Sequence, residues 1–277
     1  MHLLRVALGQ LAVVAFFLAA GVASAQPGPV APDLAGIPGE HGWKLVNRSA
    51  VVIDKDGATA VRLEGEGGTG LIKLENVTFG DGAIEFDARG KNEVQRSFLG
   101  VAFHGADVGT YDAVYFRPFN FRSADAARRL HAVQYVAEPA YPWDRLRSEH
   151  PGAYEKPIVP APDPEGWFHV RIVVAAPEVS VYVNRAAEPS LVVTQLSDRR
   201  RGWIALWVSV SGGDFANLTI TPAAPAGQTN LGAQRAGQAT APGRCAAGDG
   251  DRSFPFLVLG PILNLFCPIG LPRFLFD

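Results

Sequence analysis

What the sequence lacks already narrows what the chain can be. Only two cysteines and one methionine occur in 277 residues, so neither a disulfide scaffold nor a cysteine-based metal spacing is available. Charged side chains make up 19% and nearly cancel, leaving a formal net charge of −2. That composition does not describe a charge-expanded disordered chain. It also provides no basic field for nucleic acid, and no nucleic-acid partner is expected. Long helix-period segments are missing beyond the first 25 residues, which excludes a helical bundle. The run Gly65-Glu66-Gly67-Gly68-Thr69-Gly70 has neither phosphate-loop spacing nor a following helix, and Ser209-Val210-Ser211-Gly212 is no nucleophile elbow. No cofactor and no metal-ligand set is readable.

The two ends differ from the middle. Arg5, the apolar run Leu11 to Val22 and the small residues Ala23-Ser24-Ala25 read as a signal peptide over 1–25. Secretion or periplasmic export with cleavage near Ala25 is therefore expected. Residues 26–39 read as an extended Pro/Gly leader. Residues 222–252 read as a disordered Ala/Gly/Pro linker, and 253–277 as an apolar tail that Pro255, Pro261, Pro268 and Pro272 keep from forming a helix. Cys245 and Cys267 both fall in these last segments, so the domain between stands without a disulfide. No membrane partner is expected for that domain.

Residues 40–221 alternate with period two between Gly, Pro, Asn and Asp punctuation. Ala83 to Ala88 sets Ile84 and Phe86 against Glu85 and Asp87. Phe98 to His104 sets Leu99, Val101 and Phe103 inward, with Phe98, Gly100, Ala102 and His104 opposite. Trp203 to Val210 sets Ile204, Leu206, Val208 and Val210 against Trp203, Ala205, Trp207 and Ser209. About a dozen such strands predict an all-β fold, a single antiparallel sandwich. From Ala137 to Gly166 the rhythm fails, apart from one short helix expected at Trp143–Glu149 between Pro142 and Pro151. Tyr141, Trp143 and Tyr154 in this stretch predict an ordered aromatic loop laid across one sheet.

Several of these segments resemble secreted members of the concanavalin A-like lectin/glucanase superfamily of jelly rolls. They are Gly82 to Asp87, Ser97 to His104, Tyr111 to Asn120, His131 to Tyr135, Pro164 to Val170 and Gly213 to Leu218. The chain is most similar in style to its 3-keto-disaccharide hydrolase-like group of exported bacterial proteins. The resemblance implies a carbohydrate ligand across the concave sheet and a glycoside-hydrolase-like activity. Glu85-Phe86-Asp87 is followed by Ala88, Arg89 and Gly90, so the third carboxylate of the glucanase strand is missing. A 3-keto sugar would tolerate this, because its acidified C–H permits elimination with one base.

The residue types on the open face suit such a ligand. Trp203 and Trp207 share a face at i and i+4 and offer stacking platforms, with Trp143 in the loop. Tyr115 and Arg117 share a face one pleat apart, and Gln134 is expected on the neighbouring strand; together they offer hydroxyl donors and acceptors. His104, or the loop carboxylates Glu138 and Asp144, would handle the proton. Glu85 and Asp87 are a further pair at i, i+2, read first as a solvated outer face, and Asp112, Glu155 and Asp163 are further acids. Arg117 could instead pair with Asp112 structurally. Arg199-Arg200-Arg201 reads as a solvated turn. A non-catalytic carbohydrate-binding module would use the same aromatic face, and a protein-docking domain would use the Tyr141–Tyr154 loop as its patch.

Overall fold

The computed structural model describes residues 28–224. The expected signal peptide, nearly all of the linker, the apolar tail and both cysteines lie outside the described residues. Alternation has produced what it predicts: two seven-stranded antiparallel sheets packed as a jelly-roll-like all-β sandwich. Sheet one runs β1 (Trp43–Val46), β4 (Thr69–Leu74), β13 (Trp203–Val210), β6 (Ser97–Asp107), β7 (Thr110–Phe116), β8 (Val133–Glu138) and β9 (Glu155–Lys156). Sheet two runs β12 (Leu191–Thr194), β11 (Glu178–Val183), β10 (Phe168–Ala175), β5 (Gly82–Arg89), β14 (Gly213–Pro222), β3 (Ala58–Glu64) and β2 (Ser49–Lys55).

The inward residues of both sheets make one core. Phe103, Phe116 and Tyr135 of sheet one meet Phe86, Phe168 and Phe215 of sheet two, all nearly inaccessible to water. Each such ring contributes about 1.5–3 kcal/mol by leaving water. Register is set locally where the turn chemistry is strong. Asp56 and Gly57, both at positive φ, close the β2–β3 hairpin between the paired Lys55 and Ala58, the backbone a two-residue type I′ turn demands.

Three elements depart from expectation. Within the leader, Leu34–Gly39 is a 3-10 helix rather than extended chain, capped by Asp33, because Leu34 and Ile37 enter the core. Two four-residue helices, α1 (Pro118–Phe121) and α2 (Ala126–Arg129), follow β7; one turn is too short to leave a periodic signal. The stretch after β8 contains the expected helix, α3 (Trp143–Glu149), and then β9, which adds an edge strand to sheet one. The stretch therefore walls the open face of sheet one instead of simply lying across it.

Candidate functional site

A cleft of about 670 Å³ opens on the outer face of sheet one. Its floor follows from strand register. Trp207 of β13 is paired with Gly100 of β6, Gly100 with Tyr115 of β7, Tyr115 with Gln134 of β8, and Gln134 with Glu155 of β9. Five residues thus form one row across the sheet. Trp207 and Tyr115 are two strands apart, roughly 10 Å between backbones, yet their rings stack with centroids 4.7 Å apart. They can do so because Gly100 between them has no side chain; a Cβ there would run into the Val114 carbonyl and lie 2.6 Å from the Tyr115 Cα. The Trp207 indole N–H donates to the Tyr111 hydroxyl (3.2 Å), fixing the ring edge.

Arg117, just past the end of β7, folds back over this row. It donates to the Tyr115 hydroxyl (2.9 Å), the Gln134 side-chain oxygen (2.7 Å) and the His131 carbonyl (3.1 Å), and its guanidinium lies over the Tyr115 ring. Burial lowers the Arg117 pKa, with Tyr115 and Glu155 opposing the shift. Burial also pushes the Tyr115 hydroxyl up to about 12, so it stays protonated. Glu155, 2% exposed, receives Arg147 through both oxygens (2.8 and 2.6 Å). Burial alone would raise the Glu155 carboxyl, but the Arg147 bonds and the charges of Arg147, His131 and Arg117 hold it below the usual glutamate value. His131 Nδ1 lies 2.8 Å from Glu155 Oε1 without forming a hydrogen bond to it.

Trp143 stands at the cleft wall, 48% exposed, with Arg147 stacked on its ring at 5.0 Å. Asn120, from α1, lines the cleft; its amide donates to the His131 carbonyl (3.0 Å) while its buried Oδ1 has no partner. Glu138, opposite Tyr111 at the end of β8, is the one carboxylate among the lining residues. Burial, reinforced by the negative charge of Asp144, raises its pKa.

The structure thus brings Tyr115, Arg117, Trp207, Trp143 and Glu138 to the cleft, holds Gln134 fully buried as a partner of Arg117 outside the lining, and leaves three further expected site residues elsewhere. Trp203 packs over Gly105 and beside Tyr111, outside the cleft lining. Asp144 is exposed in the first turn of α3 and acts on Glu138 only through its charge. His104 corrects the alternation most clearly. The β6–β7 register slips between Phe103 and Asp107, His104 takes φ 51°, and its ring turns into the interior beside Phe79 and Phe103. There Gln195 donates to Nδ1 (3.0 Å) and Nε2–H donates to the Gly80 carbonyl (3.1 Å). Both ring nitrogens are then used, and none is left for a ligand.

Other acids are also committed. Asp112 takes Arg199 (2.8 Å) and Ser197 (2.7 Å), so Arg199 belongs to a buried network rather than a solvated turn, and Arg117 pairs toward Glu155 instead of Asp112. Glu85 and Asp87 lie on sheet two. There Asp87 takes Lys55, His169 and Asn217; burial would raise its carboxyl, but these three partners hold it low and ionised. Among the described residues no group of three or more His, Cys, Asp or Glu is placed to hold a metal ion, and no helix is long and apolar enough to cross a membrane.

The fold and site define a β-sandwich with an aromatic, arginine-rimmed cleft on one sheet. No protein-family model and no curated protein matches the chain. Among solved structures it is similar to a carbohydrate-binding module from Bacillus subtilis, at 17% identity and TM-score 0.43, over 65% of this chain and 96% of that one. It is also similar to a β-glucanase from Bacillus licheniformis, at 12% identity and TM-score 0.43, over 66% and 94%. A third is domain 4 of an extracellular arabinanase from Geobacillus stearothermophilus, at 15% identity and TM-score 0.40, over 65% and 82%.

Proposed function

We propose that this is an exported carbohydrate-active protein that takes a saccharide across the open face of sheet one. Like the 3-keto-disaccharide hydrolase group that its sequence resembles, it would cleave a 3-keto-glycoside. One observation carries the reading: the Trp207–Gly100–Tyr115–Gln134–Glu155 row, with Arg117 folded over it and Trp143 at its wall. A sugar ring presents C–H faces to aromatic rings and hydroxyls to fixed polar groups, and this cleft offers both.

A single lining carboxylate shapes the chemistry. Ordinary glycoside hydrolysis needs a pair of carboxyl groups, whereas elimination from a 3-keto sugar needs one base. Glu138, whose raised pKa strengthens it as a base, takes the C2 proton that the ketone acidifies. The electron pair left at C2 forms the C1–C2 double bond as the glycosidic oxygen leaves C1 and takes a proton from water. The hydroxide left by that water adds at C1, C2 takes its proton back from Glu138, and the 3-keto sugar and the free base are restored.

The same single carboxylate favours a second reading, a binding module that retains the sugar without turnover. Incubating the purified protein with oligosaccharides and 3-keto-glycosides under native mass spectrometry separates the two. Cleaved product supports the hydrolase, and retained ligand without product supports the module. Neither signal across the panel rejects both and favours protein docking through the Tyr141–Tyr154 wall.

A further inference from the structure

We propose that the saccharide recognised by this cleft is acidic, a uronate-bearing sugar whose carboxylate sits at the Arg117–Arg147 end. The inference rests on the carbohydrate reading of the same cleft and narrows its ligand. It follows from where the charges of the lining residues go. Arg117, Arg128, Arg147 and His131 line the cleft, against Glu138 as the one acid. Arg128 has its own exposed partner, Asp125, at 3.6 Å. Arg117 and Arg147, however, share a single carboxylate. Arg147 occupies both Glu155 oxygens, and the Arg117 Nη1 stands 3.7 Å from one of them.

Two guanidiniums on one carboxylate leave one positive charge without a countercharge. Arg117 is 5% exposed, and its hydrogen-bonding partners are neutral: Tyr115, Gln134 and the His131 carbonyl. Neutral dipoles satisfy its N–H groups but not its charge, and a buried cation without a counterion is costly. A carboxylate on the ligand at this end of the cleft supplies that counterion through its charge, which a neutral hydroxyl cannot do.

The cleft is also polarised along its length. Glu138 stands in the Tyr111 row, and Glu155 and Arg117 gather at the Tyr115 row. Four residues of strand separate these rows by roughly 13 Å. A ligand carboxylate at the arginine end is therefore well removed from Glu138, and the repulsion between them is small.

Matched pairs of sugars test the charge alone. Trimers of galacturonate, glucuronate and mannuronate, each beside its carboxyl methyl ester, are titrated against the purified protein at low and high salt. The expected result is that at least one acid binds about tenfold more tightly than its ester, and that added salt erodes the difference. In Arg147→Gln, with folding verified by its thermal transition, the acid should lose more affinity than the ester, so that the acid-to-ester ratio falls toward one. Esters or neutral oligosaccharides that bind as well as the acids in all three pairs overturn the inference while leaving the carbohydrate reading intact. Failure of every sugar, acidic or neutral, overturns both.

Discussion

Replacing Glu155 with glutamine tests whether the arginine end of the cleft is an electrostatic assembly or only a crowded one. The substitution keeps the shape and removes the charge that faces Arg147, Arg117 and His131. Breaking a buried pair typically costs about 3–5 kcal/mol. The Arg147 side chain is 36% exposed, so water screens its share, whereas Arg117 at 6% has little such relief. The lower end, about 3 kcal/mol, is therefore expected. For a domain of this size that lowers Tm by about 6–12 °C. The sign of the pH dependence follows from the depressed Glu155 pKa. Its contribution is present above the unfolded-state value, about 4.3, and is lost as pH falls through the lower folded-state value. Thermal unfolding of parent and Glu155→Gln between pH 3 and 7 should give curves about 6–12 °C apart at neutral pH that converge in acid. A Tm difference below about 2 °C at neutral pH, or a gap that widens toward acid, refutes the assembly.

Three further predictions address the row, the base and the misplaced histidine. Gly100→Val should destabilise by at least about 1–3 kcal/mol, since its side chain has no room against the β7 backbone, and should alter the near-ultraviolet dichroism of the Tyr115–Trp207 stack. If the hydrolase reading holds, Glu138→Gln should lower turnover by about 10²–10⁴-fold. Asp144→Asn should move the acid limb of the rate profile to lower pH, because removing a neighbouring negative charge relaxes the raised Glu138 pKa. His104→Ala should cost about 1–3 kcal/mol, through the hydrogen bonds lost to the Gln195 amide, which keeps only Asp112, and to the Gly80 carbonyl, while leaving ligand affinity unchanged. A change in affinity without a change in Tm would return His104 to the site.

Strand faces were legible in the sequence because side-chain direction has a period of two and needs no knowledge of the partner strand. Ile84 and Phe86, Leu99 and Val101, and Leu206 and Val208 are all buried in the core, and Tyr115, Trp207 and Gln134 were read onto the correct surface for the same reason. The α3 helix was legible from its two prolines. What alternation cannot supply is register, which decides the neighbours along a row. Trp207 and Tyr115 are 92 positions apart, and only the pairing of both with Gly100 lets their rings meet.

Each misplacement has a local cause of that kind. Alternation assumes an unbroken strand, and the irregularity between Phe103 and Asp107 reverses the side on which His104 emerges; a bulge adds a residue without advancing the pattern. Trp203 stayed on the correct face but beyond the cleft, since face does not fix distance along the strand. Glu155 was visible only as one loop acid among several, because a two-residue strand has no period to detect. The same holds for Arg147 and His131, whose shared carboxylate becomes apparent only once β9 pairs with β8. The cleft is therefore built where local pattern is weakest: on a row set by distant pairings, closed by an edge strand too short to announce itself. Substitutions that preserve every strand's alternation but shift β9 by one residue should leave the sandwich folded and abolish the site, since Glu155 would then leave the Gln134 row and Arg117 and Arg147 would lose the carboxylate they share.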